Sequence, residues 1–104
     1  MPEENIIRVR VPRKGEVLGA VTATLGGGRF EVRCDDGFSR ICRIPGKMRR
    51  RVRIRVGYIV LVKPWSVQTN ERGDLIWVYE RNQADWLKEK GFVKKSILED
   101  SVIS

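Results

Sequence analysis

Apolar and polar residues alternate with a period of two in several stretches of this chain, the pattern of strands with one face buried. Val17, Gly19, Val21, Ala23 and Leu25 share one face and Thr22 and Thr24 the other, predicting a long first strand. Gly19 within it admits a bulge or a sharp bend. Gly26-Gly27-Gly28 reads as a turn, because Phe30 and Val32 restart a strand at once. A phosphate-cradling loop would need a following Lys-Ser/Thr and a helix, and neither is present. Phe30–Cys34 forms the second predicted strand. Asp35-Asp36-Gly37 is a hairpin signal, and a third strand runs from Phe38 to Ile44, stopped by Pro45-Gly46. Tyr58–Val62 is nearly all apolar, predicting a strand buried on both faces. After Pro64 comes a polar loop with turn residues Asn70 and Gly73, then a fifth strand, Leu75–Tyr79.

One helix is expected after the strands. Asn82 suits its N-cap, with Asp85 near the positive end of the dipole. Ala84, Leu87 and Trp86 offer an apolar face, and Gly91 followed by Phe92, set against Leu87, fits a Schellman ending. The predicted organisation is an arm at 1–14, a barrel domain at 15–81, a helix packed on it at 82–91 and a tail at 92–104. Five strands with no crossover helix between them point to an all-β protein, and the expected fold is a five-stranded OB-fold Greek-key barrel with a C-terminal helix, the commonest such barrel that binds nucleic acid. Composition alone also allows an SH3-like barrel.

Length and composition narrow the functional classes. A chain of 104 residues fits one domain. No apolar run approaches the ~18 residues of a membrane span, and Met1–Asn5 lacks the pattern of a secretory signal, so the expected location is the cytoplasm. Cys34 and Cys42 are the two cysteines, and there is no histidine. No metal site or cofactor is expected from so few ligands. The hairpin register sets Cys34 opposite residue 38 or 39 rather than Cys42, so two reduced, packed thiols are expected. Without histidine the commonest general base is missing, and Asp35-Asp36 serves the turn. No catalytic residue is identified, and an enzyme is not expected.

Charge changes the picture most. The net charge is +8, and eight basic residues fall between Arg40 and Arg55 with no acid among them: Arg40, Arg43, Lys47, Arg49, Arg50, Arg51, Arg53 and Arg55. The remaining basic residues equal the 13 acidic ones, so this stretch carries the whole excess. Concentrated positive charge is a footprint for a polyanion. Seven of the eight are arginines, whose planar fork matches phosphate and stacks on bases. A membrane-surface helix would need an apolar face, whereas Arg51-Val52-Arg53-Ile54-Arg55 alternates with period two. The stretch is therefore read as an RNA-binding segment. Phe38, at the hairpin tip, is the best candidate stacking platform among the aromatics; those at strand positions, Trp77 and Tyr79 among them, are read as core.

The run Gly26–Gly37, followed by Arg40-Ile41-Cys42-Arg43-Ile44-Pro45-Gly46-Lys47-Met48-Arg49-Arg50-Arg51-Val52, resembles translation initiation factor 1A in its archaeal form. Ile59–Trp65 and Ala84-Asp85-Trp86-Leu87 match as well, so the resemblance spans roughly 15–91. It implies an OB-fold in the decoding A site of the small ribosomal subunit, contacting small-subunit rRNA and a ribosomal protein near the decoding centre, and acting in start-site selection and initiator tRNA placement. It implies work alongside other initiation factors; a monomer without membrane contact is the expectation for the chain. It places Arg40 and Arg43 on an RNA-facing third strand and Lys47, Arg49, Arg50 and Arg51 on a basic loop against rRNA. Arg8, Arg10, Arg13 and Lys14 become a candidate RNA-binding arm. Arg53 departs from the family, many of whose members carry tryptophan there. Ile97-Leu98-Glu99-Asp100 resembles the acidic-hydrophobic end through which the eukaryotic factor engages the initiation GTPase 5B. The competing reading is a general single-stranded RNA-binding or RNA-chaperone OB module.

Overall fold

The computed structural model describes residues 9–49, 53–94 and 97. Its elements are β1 (Val17–Gly26), β2 (Arg29–Cys34), β3 (Ser39–Arg43), the single-turn α1 (Gly46–Arg49), β4 (Ile59–Pro64), β5 (Arg72–Val78) and α2 (Arg81–Glu89). The strands close into a barrel in the order β1-β2-β3-β5-β4. All neighbours are antiparallel except β3 and β5, which pair in parallel over Ile41–Arg43 and Arg72–Asp74. Five strands, this closure and a helix between β3 and β4 make an OB-fold.

The apolar pattern divides between two cores. One fills the barrel with Val21, Val32, Cys34, Cys42, Val60, Val62 and Leu75, closed at one end by Ile44 and by the partly buried Met48 and Ile54. The other lies between the outer face of β1 and β4 and helix α2, and holds Leu18, Ala20, Ile59, Leu61, Tyr79, Ala84 and Leu87. Successive residues of β4 therefore point into opposite cores, and the run Ile59–Val62 is buried on both faces as its composition predicts. The same holds for the first half of β1, where Leu18 and Ala20 lie against the helix side. The simple one-faced alternation expected from Val17 to Leu25 stops at a register shift between Val21 and Ala23, and Leu25 is exposed. Each fully buried Leu or Ile contributes about 1.5–3 kcal/mol.

β5 begins three residues before the expected Leu75, because Arg72, Gly73 and Asp74 pair with β3. Gly73 sits where a Cβ would lie 2.7 Å from Val62 Cγ1 and 3.5 Å from Cys42 Sγ. It is a site of close strand approach within the sheet, not a turn. Helix α2 also starts earlier than expected. Glu80 is its N-cap, and the Gln83 side chain accepts from the Glu80 N–H at 2.9 Å, whereas Asn82 Oδ1 accepts from the Gln83 N–H within the first turn. The C-terminus is a Schellman motif. Phe92 N–H donates to the Leu87 carbonyl at 2.9 Å and Gly91 N–H to Lys88, with Gly91 at φ +81°. The Phe92 ring stacks on Trp86, with centroids 5.8 Å apart.

The flanking segments join the second core. Val9 and Val11 pack against it, and the Tyr79 hydroxyl donates to the Arg10 carbonyl. Burial pushes the Tyr79 phenol up to about 12, which keeps that donor proton in place at neutral pH. Val93 and Ile97, expected in a tail, are buried beside Leu87.

Gly19 is a point of close approach in the β1–β2 pair: a Cβ there would lie 2.5 Å from Val32 Cγ1 and 2.9 Å from the Arg33 carbonyl oxygen. Gly19→Ala is expected to cost about 1–3 kcal/mol through overpacking. Urea unfolding followed by tryptophan fluorescence should show a lower midpoint at unchanged slope; an unaltered midpoint would refute the close-approach account.

Candidate nucleic-acid interface

The basic residues of β3 and its neighbours separate by strand parity. Arg40 and Arg43 are three positions apart, so they project from opposite faces. Ser39, Ile41 and Arg43 face outward, while Arg40, Cys42 and then Ile44 face inward. Arg43 is 63 % exposed at its side chain, and Arg40 is 1 % exposed. The resemblance puts both on an RNA-facing strand. The structure sets Arg43 on the outer, solvent-facing side of β3 and withdraws Arg40, which has no exposed guanidinium with which to meet a phosphate.

Arg43 belongs to a cleft on the outer face of β2, β3 and β5. Arg29, Ile41, Arg43, Trp65 and Arg72 line it. The register accounts for the grouping: Arg29 pairs with Arg43 across β2 and β3, and Ile41 pairs with Arg72 across β3 and β5. The Arg43 guanidinium lies over the Trp65 ring, 5.4 Å from its centroid, and its Nε is 3.5 Å from Asp74 Oδ1. That same carboxylate oxygen accepts from Trp65 Nε1 at 3.1 Å. Like charges set directly opposite on a sheet are destabilising. Arg29 against Arg43, with Arg72 beside them, is therefore a surface whose self-repulsion an anion would relieve.

Arg29, Arg72 and Trp65 are absent from the residues that the sequence assigns to the interface. Period-two alternation puts Arg29, Glu31 and Arg33 on one face of β2, a signal present in the sequence. Arg72 and Trp65 come together with Arg43 through the parallel β3–β5 pairing, which no local pattern shows.

The remaining candidates are spread around the barrel. Lys47 is exposed on α1. Arg53 and Arg55 are exposed on either side of Ile54, which packs into the barrel core. Gly57 N–H and Tyr58 C=O bond to Val21 and tie this loop to the β1 register shift. Arg50 and Arg51, the Arg49 side chain and Arg8 lie outside the described residues. Arg10 pairs with Glu16 at 3.2 Å, while Arg13 and Lys14 are exposed in the turn that follows. Phe38 is 43 % exposed at the hairpin, with the Arg40 guanidinium 5.6 Å from its centroid. Ile97 serves the core beneath α2. Cys34 and Cys42 are buried and unbridged, and burial pushes their thiols up to about 11 and about 12. Both remain protonated and unreactive at neutral pH. Among the described residues no group of three or more Cys, Asp or Glu could hold a metal ion.

Arg40 makes a bidentate pair with Asp36, Nη1 to Oδ1 at 3.0 Å and Nη2 to Oδ2 at 2.8 Å, and its Nε donates to the Thr69 carbonyl at 2.6 Å. Burial would raise the Asp36 carboxyl, but the hydrogen bonds and charge of Arg40 outweigh it and hold the group below its usual 3.8.

The fold and this face define an OB-fold barrel with a basic strand surface suited to a polyanion. A family model described as "Translation initiation factor 1A / IF-1" matches residues 7–102, and the chain belongs to that family. It is similar to translation initiation factor 1A of Methanopyrus kandleri, with 54 % identity over 89 residues, covering 86 % of this chain and 79 % of that one. Against the Archaeoglobus fulgidus factor the identity is 50 % over 94 residues, with 88 % and 96 % covered. Among solved structures it resembles translation initiation factor 1 from the Wolbachia endosymbiont of Brugia malayi, with 35 % identity, a TM-score of 0.51, and 69 % of this chain and 84 % of that one covered. The archaeal resemblance read from residues 15–91 is thus borne out, and the OB-fold with it. The role of the chain lies in translation initiation, in a family of factors and not of enzymes. No helix among the described residues is long and apolar enough to cross a membrane.

A carboxylate with a depressed folded pKa stabilises the fold above its unfolded pKa, and that contribution fades as pH falls through the folded value. Asp36→Asn should therefore be less stable than the parent at pH 7, with the gap closing as pH drops below about 4. Denaturant titrations between pH 7 and 2.5 check this; a gap that widens in acid would contradict it.

Proposed function

We propose that this chain binds the small ribosomal subunit in the A site, contacts rRNA at the decoding centre, and promotes start-site selection and initiator tRNA placement. The observation that carries the RNA contact is the cleft in which Arg29, Arg43 and Arg72 stand beside Trp65. Guanidinium forks engage phosphate, and an indole edge or face accommodates a base. Lys47, Arg53 and Arg55 are exposed on the segment after β3 and extend the positive surface; the sequence adds Arg49, Arg50 and Arg51 to its charge. Arg13 and Lys14, exposed ahead of β1, form a second contribution. A ribosomal protein near the decoding centre and other initiation factors complete the proposed partners; membership of the family supports them.

A general RNA-chaperone module is disfavoured by the outer face itself. Single-strand binders of that kind present several aromatics on strands 2 and 3. Here the outward positions are Arg29, Glu31 and Arg33 on β2 and Ser39, Ile41 and Arg43 on β3. Phe38 and Trp65 sit beside those strands, on loops.

Binding to isolated small subunits is expected to weaken steeply with salt, with a log–log slope near −3.5 to −4.5 for ~5 phosphates. The triple variant Arg29→Ala, Arg43→Ala, Arg72→Ala should flatten that slope by roughly 2 while its circular dichroism stays unchanged. Chemical footprinting should show protection at the decoding centre. Protection confined to another part of the subunit, or an unaltered slope in the triple variant, would overturn the assignment.

A further inference from the structure

Arg40 is the largest fully buried side chain and the one buried charged residue among those described. A guanidinium taken out of water is costly unless its donors are satisfied. This one directs three of its donors to two loops that are not neighbours in sequence. Two go to Asp36 in the β2–β3 hairpin, and Nε goes to Thr69 in the β4–β5 loop. The loop side continues the chain of contacts. Thr69 Oγ1 donates to the Trp65 carbonyl at 2.7 Å, and Trp65 Nε1 donates to Asp74 beneath Arg43. On the hairpin side, Phe38 N–H donates to Asp36 Oδ1, and the Phe38 ring rests against the guanidinium. One buried cation thus joins the hairpin bearing Phe38 to the loop bearing Trp65.

We infer that Arg40 is a positioning residue for RNA binding: it couples the β2–β3 hairpin to the β4–β5 loop and holds Phe38 and the Trp65–Arg43 pair at fixed spacing. The inference rests on the RNA-binding reading above and changes the part Arg40 plays in it. Arg40 touches no phosphate. It lowers the ordering cost that two independent loops would incur on binding. Immobilising rotamer-rich side chains and loops costs about 0.5–1.5 kcal/mol each, which corresponds to roughly 3–10-fold in affinity.

The test uses the full chain with Asp36→Asn and Arg40→Met, and two readouts. The first is affinity for isolated small subunits across a salt series. Asp36→Asn makes the protein more positive, so attraction to phosphate alone predicts equal or tighter binding. Loss of the coupling predicts binding weaker by roughly 3–10-fold with the salt slope unchanged. Tighter or equal binding of Asp36→Asn overturns the proposal, and so does a slope that flattens by ~0.7–0.9 in Arg40→Met, the mark of a lost phosphate contact. The second readout is amide hydrogen exchange of the free protein. Residues 35–38 and 66–71 should lose protection together in Asp36→Asn while β1 and β4 keep theirs. Unchanged protection in the β4–β5 loop overturns the coupling. Asp36 lies at the surface and its isosteric replacement keeps the barrel core intact, so the outcome does not depend on whether Arg40→Met folds. Should the parent protein fail to bind subunits, the functional assignment falls while hydrogen exchange still judges the coupling.

Discussion

The buried Arg40 guanidinium governs how the two loops at one end of the barrel stand relative to each other. Its place follows from simple constraints. Residue 40 pairs with Val32, so it shares the inward face with Val32 and Cys42. At the end of a barrel an inward side chain reaches the rim, where carbonyl and carboxylate acceptors are available. A leucine there would fill space without satisfying the Thr69 carbonyl or Asp36. An arginine does both, and its stem packs while its head bonds. The opposite end is closed by apolar residues, Ile44, Met48 and Ile54. The barrel thus has one greasy plug and one ionic plug, and the ionic one is connected to the surface.

That asymmetry matters for the outer face. Arg29, Arg43 and Arg72 repel one another, and Asp74 offsets only part of this charge. They are held together by backbone pairing on three strands, not by their own interactions. The stability for this arrangement comes from the two cores, particularly from β1 and β4, each buried on both sides over Leu18–Val21 and Ile59–Val62. A rigid scaffold can carry unfavourable surface charge that an isolated hairpin could not. An anionic partner then meets donors that are already oriented, so little ordering is left for binding to accomplish.

The family relationship and the physical reading support each other at different levels. Membership of the initiation factor 1A family says in which process the chain works. The geometry says which of its arginines can face a partner. Treating the Arg40–Arg55 stretch as a uniform cationic patch overlooks that Arg40 is withdrawn inside, that Ile54 turns its segment so Arg53 and Arg55 flank an anchored residue, and that Arg29 and Arg72 from outside the stretch join Arg43.

Much of the fold was legible in local chemistry. Period-two alternation and the Asp35-Asp36-Gly37 turn narrowed the hairpin register to two pairings, because a turn and a strand parity leave few, and Cys34 lies opposite Phe38, one of the two. The apolar run at Ile59–Val62 announced a strand with no wet face, and Gly91 before Phe92 announced the helix end. Strand parity also contained the separation of Arg40 from Arg43, although charge density by itself conceals it. Tertiary structure alone decided the rest. Parallel pairing of β3 with β5 brings Arg72 and Trp65 to Arg43 from far along the chain, and it lengthens β5 beyond what its apolar pattern shows. The Thr69 carbonyl meets Arg40 for the same reason. Contacts between distant segments depend on barrel closure, a property of all five strands together, and no window of sequence encodes it.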